Sequence, residues 1–435
     1  MNPIAWPING GYFWSDSILK HTILLLLLFF SSLHGATPKV LVGADSVMQA
    51  PYGSNLKGKK IGLITNHTAF NANKHSTIQL FKEQAKPKGF KLIALFGPEH
   101  GIGGDHYAEE SMENQIDPEG IPIFTLHGKT RRPTDEMLKG IDLLVYDIQD
   151  IGSRSYTYIT TLFYVMEEAA KKGIEVWVLD RPNPLGGQIV DGPMLEEKWR
   201  SFVGYINIPY CHGMTIGELA HYFNQEYQIG CRLTVVPMKG WKRNMIFRDT
   251  DLHWIPTSPY IPEANTAFYY PTTGIIGELQ IVSIGIGYTL PFKLIGAPWI
   301  KGEALAKQLN KQNFPGVHFE PFKYRPHYGK FAKKDCQGVL ILVTNPTLYK
   351  PVSTQYLILG ILKNLYKNQF NQALAKSTDR QEMFHKVNGT DQVFKILNQD
   401  GYSVWKLLSL HQEERKAFEK TRQKYLFPSY NVETK

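Results

Sequence analysis

The chain has 435 residues, 43% of them hydrophobic and 20% charged, which is typical of a globular protein long enough for two domains. Its formal charge of +9 would suit nucleic acid or an anionic surface, but the basic residues are scattered and no recognised nucleic-acid-binding motif accompanies them. Three cysteines without CxxC spacing exclude a cysteine zinc site and a disulfide framework, leaving room for one bridge. We therefore expect a two-domain enzyme that binds no nucleic acid.

The N-terminal segment has the pattern of an export signal. Lys20 lies just before an apolar run, Thr22–Phe30, that is too short to span a bilayer, and small residues follow as far as Ala36. We interpret residues 1–36 as a signal peptide or an N-terminal anchor. The protein is then expected to be periplasmic or secreted, and to touch the membrane only through this segment if it is uncleaved.

Short apolar runs alternate with helix-like stretches after Val40. Near-continuous apolar strands that alternate with helices are typical of a parallel sheet covered on both faces. We therefore predict a Rossmann-like, doubly wound α/β domain with a mostly parallel sheet over residues 37–250. Its predicted strands are 60–66, 91–97, 121–126, 143–149, 175–181 and 233–238, and its predicted helices are 76–84, 158–172 and 215–226.

The second half follows a connector rich in tryptophan and proline, residues 240–264. We expect a smaller, mixed α/β domain over residues 251–435. A cleft between two domains is a common site for an extended ligand. The predicted strand of this domain is 339–345, and its predicted helices are 353–366, 390–397 and 413–424.

Polar side chains directly follow several of the predicted strands. In an open parallel sheet ligands bind outside the carboxyl ends of the strands, so polar residues scattered along the sequence can converge at one edge. The clearest case is Glu99 and His100, which follow strand 91–97 in a Pro- and Gly-rich turn that we expect to be exposed. The other candidate residues at these ends are Asn66, Asp147, Gln149, Asp150, Arg154, Tyr156, Tyr158, Arg181 and Asn183.

Several of these groups have a purely structural alternative. Residues 180–184 can form a loop in which Asp and Asn side chains bind local backbone and the arginine pairs with a carboxylate. In residues 150–158, Asp150 can cap the following helix while the tyrosines pack in the core. The residues alone leave both alternatives open.

The segment His212–Ala220 has the pattern of a helix start. Thr215 and Glu218 have the spacing of a capping box, in which each side chain bonds the backbone N–H of the other, and we favour that structural role for both. His212 lies just outside the helix and is freer to meet a ligand. We therefore add His212 to the candidate ligand-binding residues.

Long motifs in a fixed order make the chain recognisable. They are GLITNHTAF, LFGPEHGIGG, DIQDIGSRSYTYITTL, VLDRPNPLGG, IPYCHGMTIGELA and FHKVNGTDQVFKIL. Together they resemble the bacterial exo-β-N-acetylmuramidase family (NamZ-like), from about Val40 to the C-terminus. The resemblance implies a Rossmann-like first domain, a smaller second domain, a cleft between them and no cofactor. It also implies a hydrolase that releases terminal N-acetylmuramic acid from the non-reducing end of peptidoglycan fragments or related muropeptide-derived sugars.

Glycosidic cleavage needs a general acid at the leaving oxygen and a group that stabilises or attacks the anomeric carbon. Glu99 fits the acid, and His100 can orient it or share its proton. For the second group the candidates are Asp147, Asp150 and the acetamido oxygen of the sugar itself, since substrate-assisted enzymes need no protein nucleophile. The residues do not decide among these three.

The lactyl carboxylate of N-acetylmuramic acid requires a cation, and Arg154 and Arg181 are the arginines at suitable strand ends. The connector and the second half depart from the usual family pattern, since Tyr260 stands where relatives usually have Asn, Ile281 replaces an Asn and Ile286 replaces an Arg. The strand-end residues are intact. We therefore expect these changes to affect the choice of sugar more than the hydrolytic chemistry.

The residues leave two other classes of function open, and they do not determine the oligomeric state. A metal-dependent hydrolase could use Glu99, His100, His106, Asp147 and His212, although none shows the paired spacing of a zinc-binding helix. A catalytically silent or re-targeted protein that binds envelope glycans would keep the fold and lose turnover.

Overall fold

A computed structural model describes residues 39–107, 110, 112–399 and 403–432, and two β-sheets organise this part of the chain. The predicted signal segment, residues 1–36, lies outside the described residues. The described residues all belong to one compact unit. Among the helices described, none is both long and apolar enough to cross a bilayer.

The larger sheet has seven strands in the order β3-β4-β2-β1-β5-β6-β7, and all neighbours pair in parallel except β3 with β4. Apart from the short edge strand β3, this is the strand order of the classical dinucleotide-binding sheet, which reverses between β1 and β5. The predicted fold class is confirmed. The strands are β1 Lys60–Thr65, β2 Lys91–Gly97, β3 Gln115–Ile116, β4 Pro122–Thr125, β5 Leu143–Asp147, β6 Glu175–Leu179 and β7 Arg232–Val236.

Helices pack on both faces of this sheet, which explains why its central strands are apolar throughout. Every residue of β5 is buried, and in β1 only Lys60 is exposed. On one face Leu63 shares a hydrophobic cluster with Phe81, and on the other face Ile64 shares a cluster with Leu162. Phe81 lies on α1 Thr77–Lys88 and Leu162 on α2 Tyr158–Lys172.

The predicted capping box begins α3, Ile216–Glu226, and is confirmed. The backbone N–H of Thr215 donates to Glu218 Oε2 at 3.0 Å, and the N–H of Glu218 donates to Thr215 Oγ1 at 3.3 Å. Glu218 also pairs with Arg243 at 2.5 Å, so its carboxylate is fully used inside the protein. Both side chains have the structural role that the spacing indicated.

The smaller sheet is antiparallel, in the order β8-β10-β9, and its strands are β8 Leu294–Ala297, β9 Val317–Tyr324 and β10 Cys336–Val343. Only β10 was predicted from the sequence. In β9, Pro321 and exposed polar residues interrupt the apolar pattern, which an edge strand tolerates because one side of its backbone has no partner in the sheet.

The helices of the second half are more numerous than the three predicted. The largest hydrophobic cluster contains residues of both sheets, including Phe96 and Tyr146 of the larger sheet and Ile295 and Val339 of the smaller one. The predicted boundary between residues 250 and 251 stays a prediction. The helices are α4 Gly302–Asn310, α5 Pro351–Leu365, α6 Lys367–Ala375, α7 Gln381–Asn388, α8 Gln392–Asn398, α9 Ser403–Ser409 and α10 Gln412–Arg422, with short helical turns at Gly43–Ser46, Thr266–Tyr269 and Ile275–Glu278.

Candidate active site

A cavity of ≈ 490 Å³ is lined by the residues that follow β2 and β5 and by residues of the second half. This volume lies within the usual range of small-molecule sites, about 300–1,000 Å³. The wall from the second half consists of the connector, the segment 270–292, the loop 326–331 and residues 380–387. Of the predicted site residues, four line this cavity, namely Glu99, His100, Tyr156 and Tyr158.

Glu99 lies in the turn that ends β2. The turn is closed by a hydrogen bond from the N–H of Gly101 to the carbonyl of Pro98 at 3.0 Å. His100 adopts a positive φ of 71°, and so does Gly101 with 78°. We expected an exposed turn, but Glu99 is only 9% exposed and His100 only 8%, because the turn forms part of the cavity wall.

Two side chains lie next to the carboxylate of Glu99. Thr157, the residue that precedes α2, donates its hydroxyl to Glu99 Oε2 at 2.5 Å. His127 Nε2 lies 3.8 Å from Glu99 Oε1. One oxygen of the carboxylate is therefore fixed by a hydroxyl, and the other faces an imidazole.

His100 has a different neighbour from the one that we predicted. Its Nδ1 is 2.8 Å from the carbonyl oxygen of His106, so Nδ1 carries the proton and the ring is tied to its own loop. The imidazole beside Glu99 is that of His127, which follows β4 by two residues. The same strand-end argument that identified Glu99 could have identified His127.

Tyr156 and Tyr158 connect the sheet edge to the connector. Tyr156 donates to Thr257 Oγ1 and Tyr158 donates to the carbonyl of Thr257, both at 2.8 Å. The side chain of Asn66 donates to the Tyr158 hydroxyl at 3.1 Å. Burial raises the pKa of both tyrosines, so both hydroxyls keep their protons. Asn66 thus supports the cavity wall from behind and does not line it.

Asp147 and Arg181 form a buried ion pair away from Glu99. Arg181 Nε lies 2.5 Å from Asp147 Oδ1 and Nη2 lies 2.9 Å from Oδ2, and Thr77 also donates to this carboxylate. Arg181 lines a second cavity of ≈ 260 Å³ together with Gln149 and Trp254. The structure therefore does not bring Asp147 to Glu99.

Arg154 is fully buried and binds backbone carbonyls instead of a carboxylate. Its guanidinium donates to the carbonyls of Pro193 at 2.7 Å, Ile208 at 2.6 Å and Asn388 at 2.5 Å. Burial lowers its pKa to about 10. Arg154 thereby fastens the end of α7 to the segment between β6 and α3.

The remaining predicted site residues are buried outside the cavity. Asp150 Oδ2 accepts from the N–H of Gly152 at 2.6 Å, and burial raises the pKa of Asp150 to about 7. Asn183 donates to the carbonyl of Met214 at 3.0 Å and stabilises a loop, as its structural alternative predicted. Burial lowers the pKa of His212 to about 3, so this imidazole is neutral.

The family differences noted in the sequence fall partly on the cavity. Tyr260 and Ile286 line it, and the Tyr260 hydroxyl lies 3.4 Å from that of Tyr328. Ile281 lies outside it and is 2% exposed. The cavity residues that the sequence did not indicate include His127, Arg131, Ser155, Thr157, Phe202, Tyr210, Ser258, Tyr270, Glu278, Phe292, Tyr328, Lys330, Arg380 and Lys386.

The described part of the chain contains no cluster of side chains that would support the metal-dependent hydrolase considered from the sequence. Within those residues, no three His, Cys, Asp or Glu side chains come close enough to hold a metal ion together. Asp147 is held by Arg181, and His212 is buried apart from the cavity. The five residues considered for a metal therefore do not converge.

The fold and the cavity define an α/β enzyme whose acidic residue lies at the carboxyl edge of a parallel sheet. Models of the exo-β-N-acetylmuramidase NamZ N-terminal and C-terminal regions match residues 61–265 and 268–427. The chain is 43% identical over 390 residues to peptidoglycan β-N-acetylmuramidase NamZ of Bacillus subtilis (strain 168), covering 89% of this chain and 91% of that protein. The chain belongs to the NamZ exo-β-N-acetylmuramidase family, as its motifs indicated.

Solved structures agree with this assignment. One crystal structure of a DUF1343 family protein from Bacteroides fragilis NCTC 9343 matches with a TM-score of 0.82 at 40% identity, covering 89% of this chain and 99% of that chain. A second DUF1343 family protein of the same strain matches with a TM-score of 0.70 at 29% identity, covering 91% and 99%. Both relatives therefore share the fold along nearly the whole chain.

Proposed function

We propose that the protein is a glycoside hydrolase that releases terminal N-acetylmuramic acid from the non-reducing end of peptidoglycan fragments. The main support for this proposal is that the models of both NamZ regions match this chain over most of its length. The cavity supports it, because Glu99 lies in a pocket of suitable volume with aromatic walls. No cofactor is needed for this reaction.

Glu99 is the proposed general acid. It donates its proton to the glycosidic oxygen as the bond to the anomeric carbon breaks, and its carboxylate later takes a proton from the attacking water. The hydroxyl of Thr157 holds one carboxylate oxygen. This leaves the oxygen that faces His127 as the one that can exchange a proton with the substrate.

For the second catalytic role we favour the acetamido oxygen of the substrate. Among the described residues, the carboxylates that line the cavity are those of Glu99 and Glu278, and Glu278 lies 3.5 Å from Arg380. Asp147 is paired with Arg181, and Asp150 lies outside the cavity lining. An attack by the neighbouring acetamido group requires no further protein carboxylate.

This role has a direct test. A thiazoline analogue of N-acetylmuramic acid mimics the cyclic intermediate of acetamido attack and should inhibit hydrolysis competitively. Covalent labelling of an Asp or Glu by a 2-fluoro sugar, with no inhibition by the thiazoline, would instead identify a carboxylate nucleophile.

The polarity of cleavage is tested with two disaccharides. N-acetylmuramic acid linked to N-acetylglucosamine should yield both monosaccharides, whereas the disaccharide with the reverse order should stay intact. Cleavage of both disaccharides would argue against an enzyme that recognises a terminal muramic acid. Mass spectrometry distinguishes all the products.

An envelope location fits this activity, because peptidoglycan lies outside the inner membrane. The pattern of residues 1–36 supports export. Fractionation of cells that express the full chain should find the protein in the periplasm or the medium, and recovery in the cytoplasm would contradict export.

A further inference from the structure

The lactyl carboxylate distinguishes muramic acid from glucosamine, and the two arginines expected to bind it are engaged elsewhere. Arg181 pairs with Asp147, and Arg154 is enclosed by backbone carbonyls. A carboxylate taken into a cavity needs a cation, because a buried charge without a partner is strongly unfavourable. If the proposed function holds, another cavity residue must meet this group.

Among the described residues, four Lys or Arg side chains line the cavity, and two of them have carboxylate partners. Arg380 Nη2 lies 3.5 Å from Glu278 Oε2, and Lys386 Nζ lies 2.6 Å from Glu382 Oε1. The other two are Arg131 and Lys330, which form no ion pair with any described residue.

Arg131 differs sharply from its neighbour in sequence. Arg132 is held by Glu167 at 2.6 Å and by Glu168 at 3.0 Å. The Cζ atom of Arg131 instead lies 4.3 Å from the centre of the Phe202 ring, and Phe202 is itself buried. A guanidinium stacked on an aromatic ring is held in place while the N–H groups at its edge stay available to a ligand.

The Phe202 ring under Arg131 lies next to His127, which lies next to Glu99, the proposed general acid. The rings of Phe202 and His127 are 5.8 Å apart, and His127 Nε2 lies 3.8 Å from Glu99 Oε1. Arg131 therefore shares a wall with Glu99 without contacting it. This spacing suits the substrate, because the lactyl group is attached at the 3-position of the sugar and extends away from the glycosidic bond that Glu99 protonates.

We propose that Arg131 binds the lactyl carboxylate and thereby selects muramic acid over glucosamine. A planar guanidinium can form two parallel N–H···O bonds with a carboxylate, which a lysine cannot. Lys330 carries the same charge on a flexible stem and lines the same cavity, so it is the matched control.

The test measures binding, so that it does not depend on turnover. N-acetylmuramic acid and N-acetylglucosamine are titrated separately, by calorimetry, into the wild type, Arg131→Met, Arg131→Lys and Lys330→Met. The wild type should prefer N-acetylmuramic acid. Arg131→Met should lower the affinity for that sugar by about 10- to 100-fold, the usual range for a hydrogen bond to a charged group, and leave N-acetylglucosamine unaffected. Arg131→Lys should restore part of the loss.

Three results would overturn the proposal: no preference for N-acetylmuramic acid in the wild type, an unchanged preference in Arg131→Met, or loss of the preference in Lys330→Met. Arg131 is exposed, so Arg131→Met should keep the melting temperature of the wild type. Failure of the proposed function would look different. In that case the wild type would release no N-acetylmuramic acid from the disaccharide, whichever monosaccharide it prefers.

Discussion

At the level of single residues, the hydroxyl of Thr157 donates to the carboxylate of Glu99, the proposed general acid. Thr157→Val removes the donor to Glu99 Oε2 and keeps the shape of the side chain. We expect kcat to fall by about 10- to 100-fold with little change in KM, because a hydrogen bond to a charged group is worth about 1.5–3 kcal/mol. Steady-state kinetics on the disaccharide measure this. Thr157→Ser is the control and should retain activity, and an unchanged kcat in Thr157→Val would contradict the role.

The pair of Asp147 and Arg181 is expected to stabilise the fold and to play no part in the chemistry. Both side chains are buried, so Arg181→Met leaves a carboxylate without its cation. Such a loss typically costs about 3–5 kcal/mol. Urea unfolding should show this loss, while the folded fraction should retain the wild-type kcat. Normal stability together with a large loss of kcat would show that the pair serves catalysis.

The control for this prediction is Lys416→Met, which removes an exposed ion pair with Glu413 and should change the stability little.

At the level of elements, Arg154 attaches α7 to the segment between β6 and α3. Arg154→Met removes the donors to the carbonyls of Pro193, Ile208 and Asn388. We expect amide hydrogen exchange in α7 to become faster, since local opening then costs less free energy. Hydrogen exchange with mass spectrometry measures this. Arg131→Met, which changes an exposed arginine, should leave α7 as in the wild type, and equal exchange in both variants would contradict the role of Arg154.

The sequence pattern predicted the central strands of the larger sheet but missed a strand and several short helices of the second half. Strands β1, β2 and β5 were predicted because central parallel strands are apolar along their whole length. Strand β9 was missed because its pattern is interrupted by Pro321 and polar residues. In the second half, short helices such as α4 and α7 carry little signal of their own, since their stability comes from packing.

Among the cavity residues, those marked by a local motif could be predicted, whereas those placed by distant parts of the chain could not. Glu99 was found because the end of a parallel strand is marked locally by its Gly-Pro turn. Tyr270, Phe292 and Lys386 could not be found, because their place in the cavity depends on how the segment 270–292 and α7 fold across the sheet edge. Arg154 and Arg181 were expected in the site and are buried instead, because the sequence shows a charge but not its partner.

At the scale of the whole molecule, two buried groups make stability depend on pH in opposite directions. Burial raises the pKa of Asp150 from 3.8 to about 7, so its contribution is full below pH 3.8 and is lost as the pH rises to about 7. Burial lowers the pKa of His212 from 6.5 to about 3, so its contribution is full above pH 6.5 and is lost as the pH falls to about 3. Between about pH 4 and 6.5 the two contributions oppose each other.

Single substitutions should separate these contributions. Between about pH 4 and 6.5, the free energy of unfolding of Asp150→Asn should rise more steeply with pH than that of the wild type, because only the His212 contribution remains. Over the same range, the free energy of unfolding of His212→Gln should fall with rising pH, because only the Asp150 contribution remains. Each slope should change by at most about 1.4 kcal/mol per pH unit. Urea unfolding at several pH values measures this, and the slope is compared because either substitution can also lower stability at every pH. Identical slopes in all three proteins would show that neither group titrates as inferred.

Hydrolysis and the role of Glu99 are tested together by the release of N-acetylmuramic acid from its β-1,4-linked disaccharide with N-acetylglucosamine, followed by mass spectrometry for the wild type and Glu99→Gln. The wild type should release the sugar. Glu99→Gln should release it at least about 100-fold more slowly, the usual contribution of a general acid, with a similar melting temperature. Equal rates would contradict the role of Glu99, and no release by the wild type would contradict the hydrolase itself.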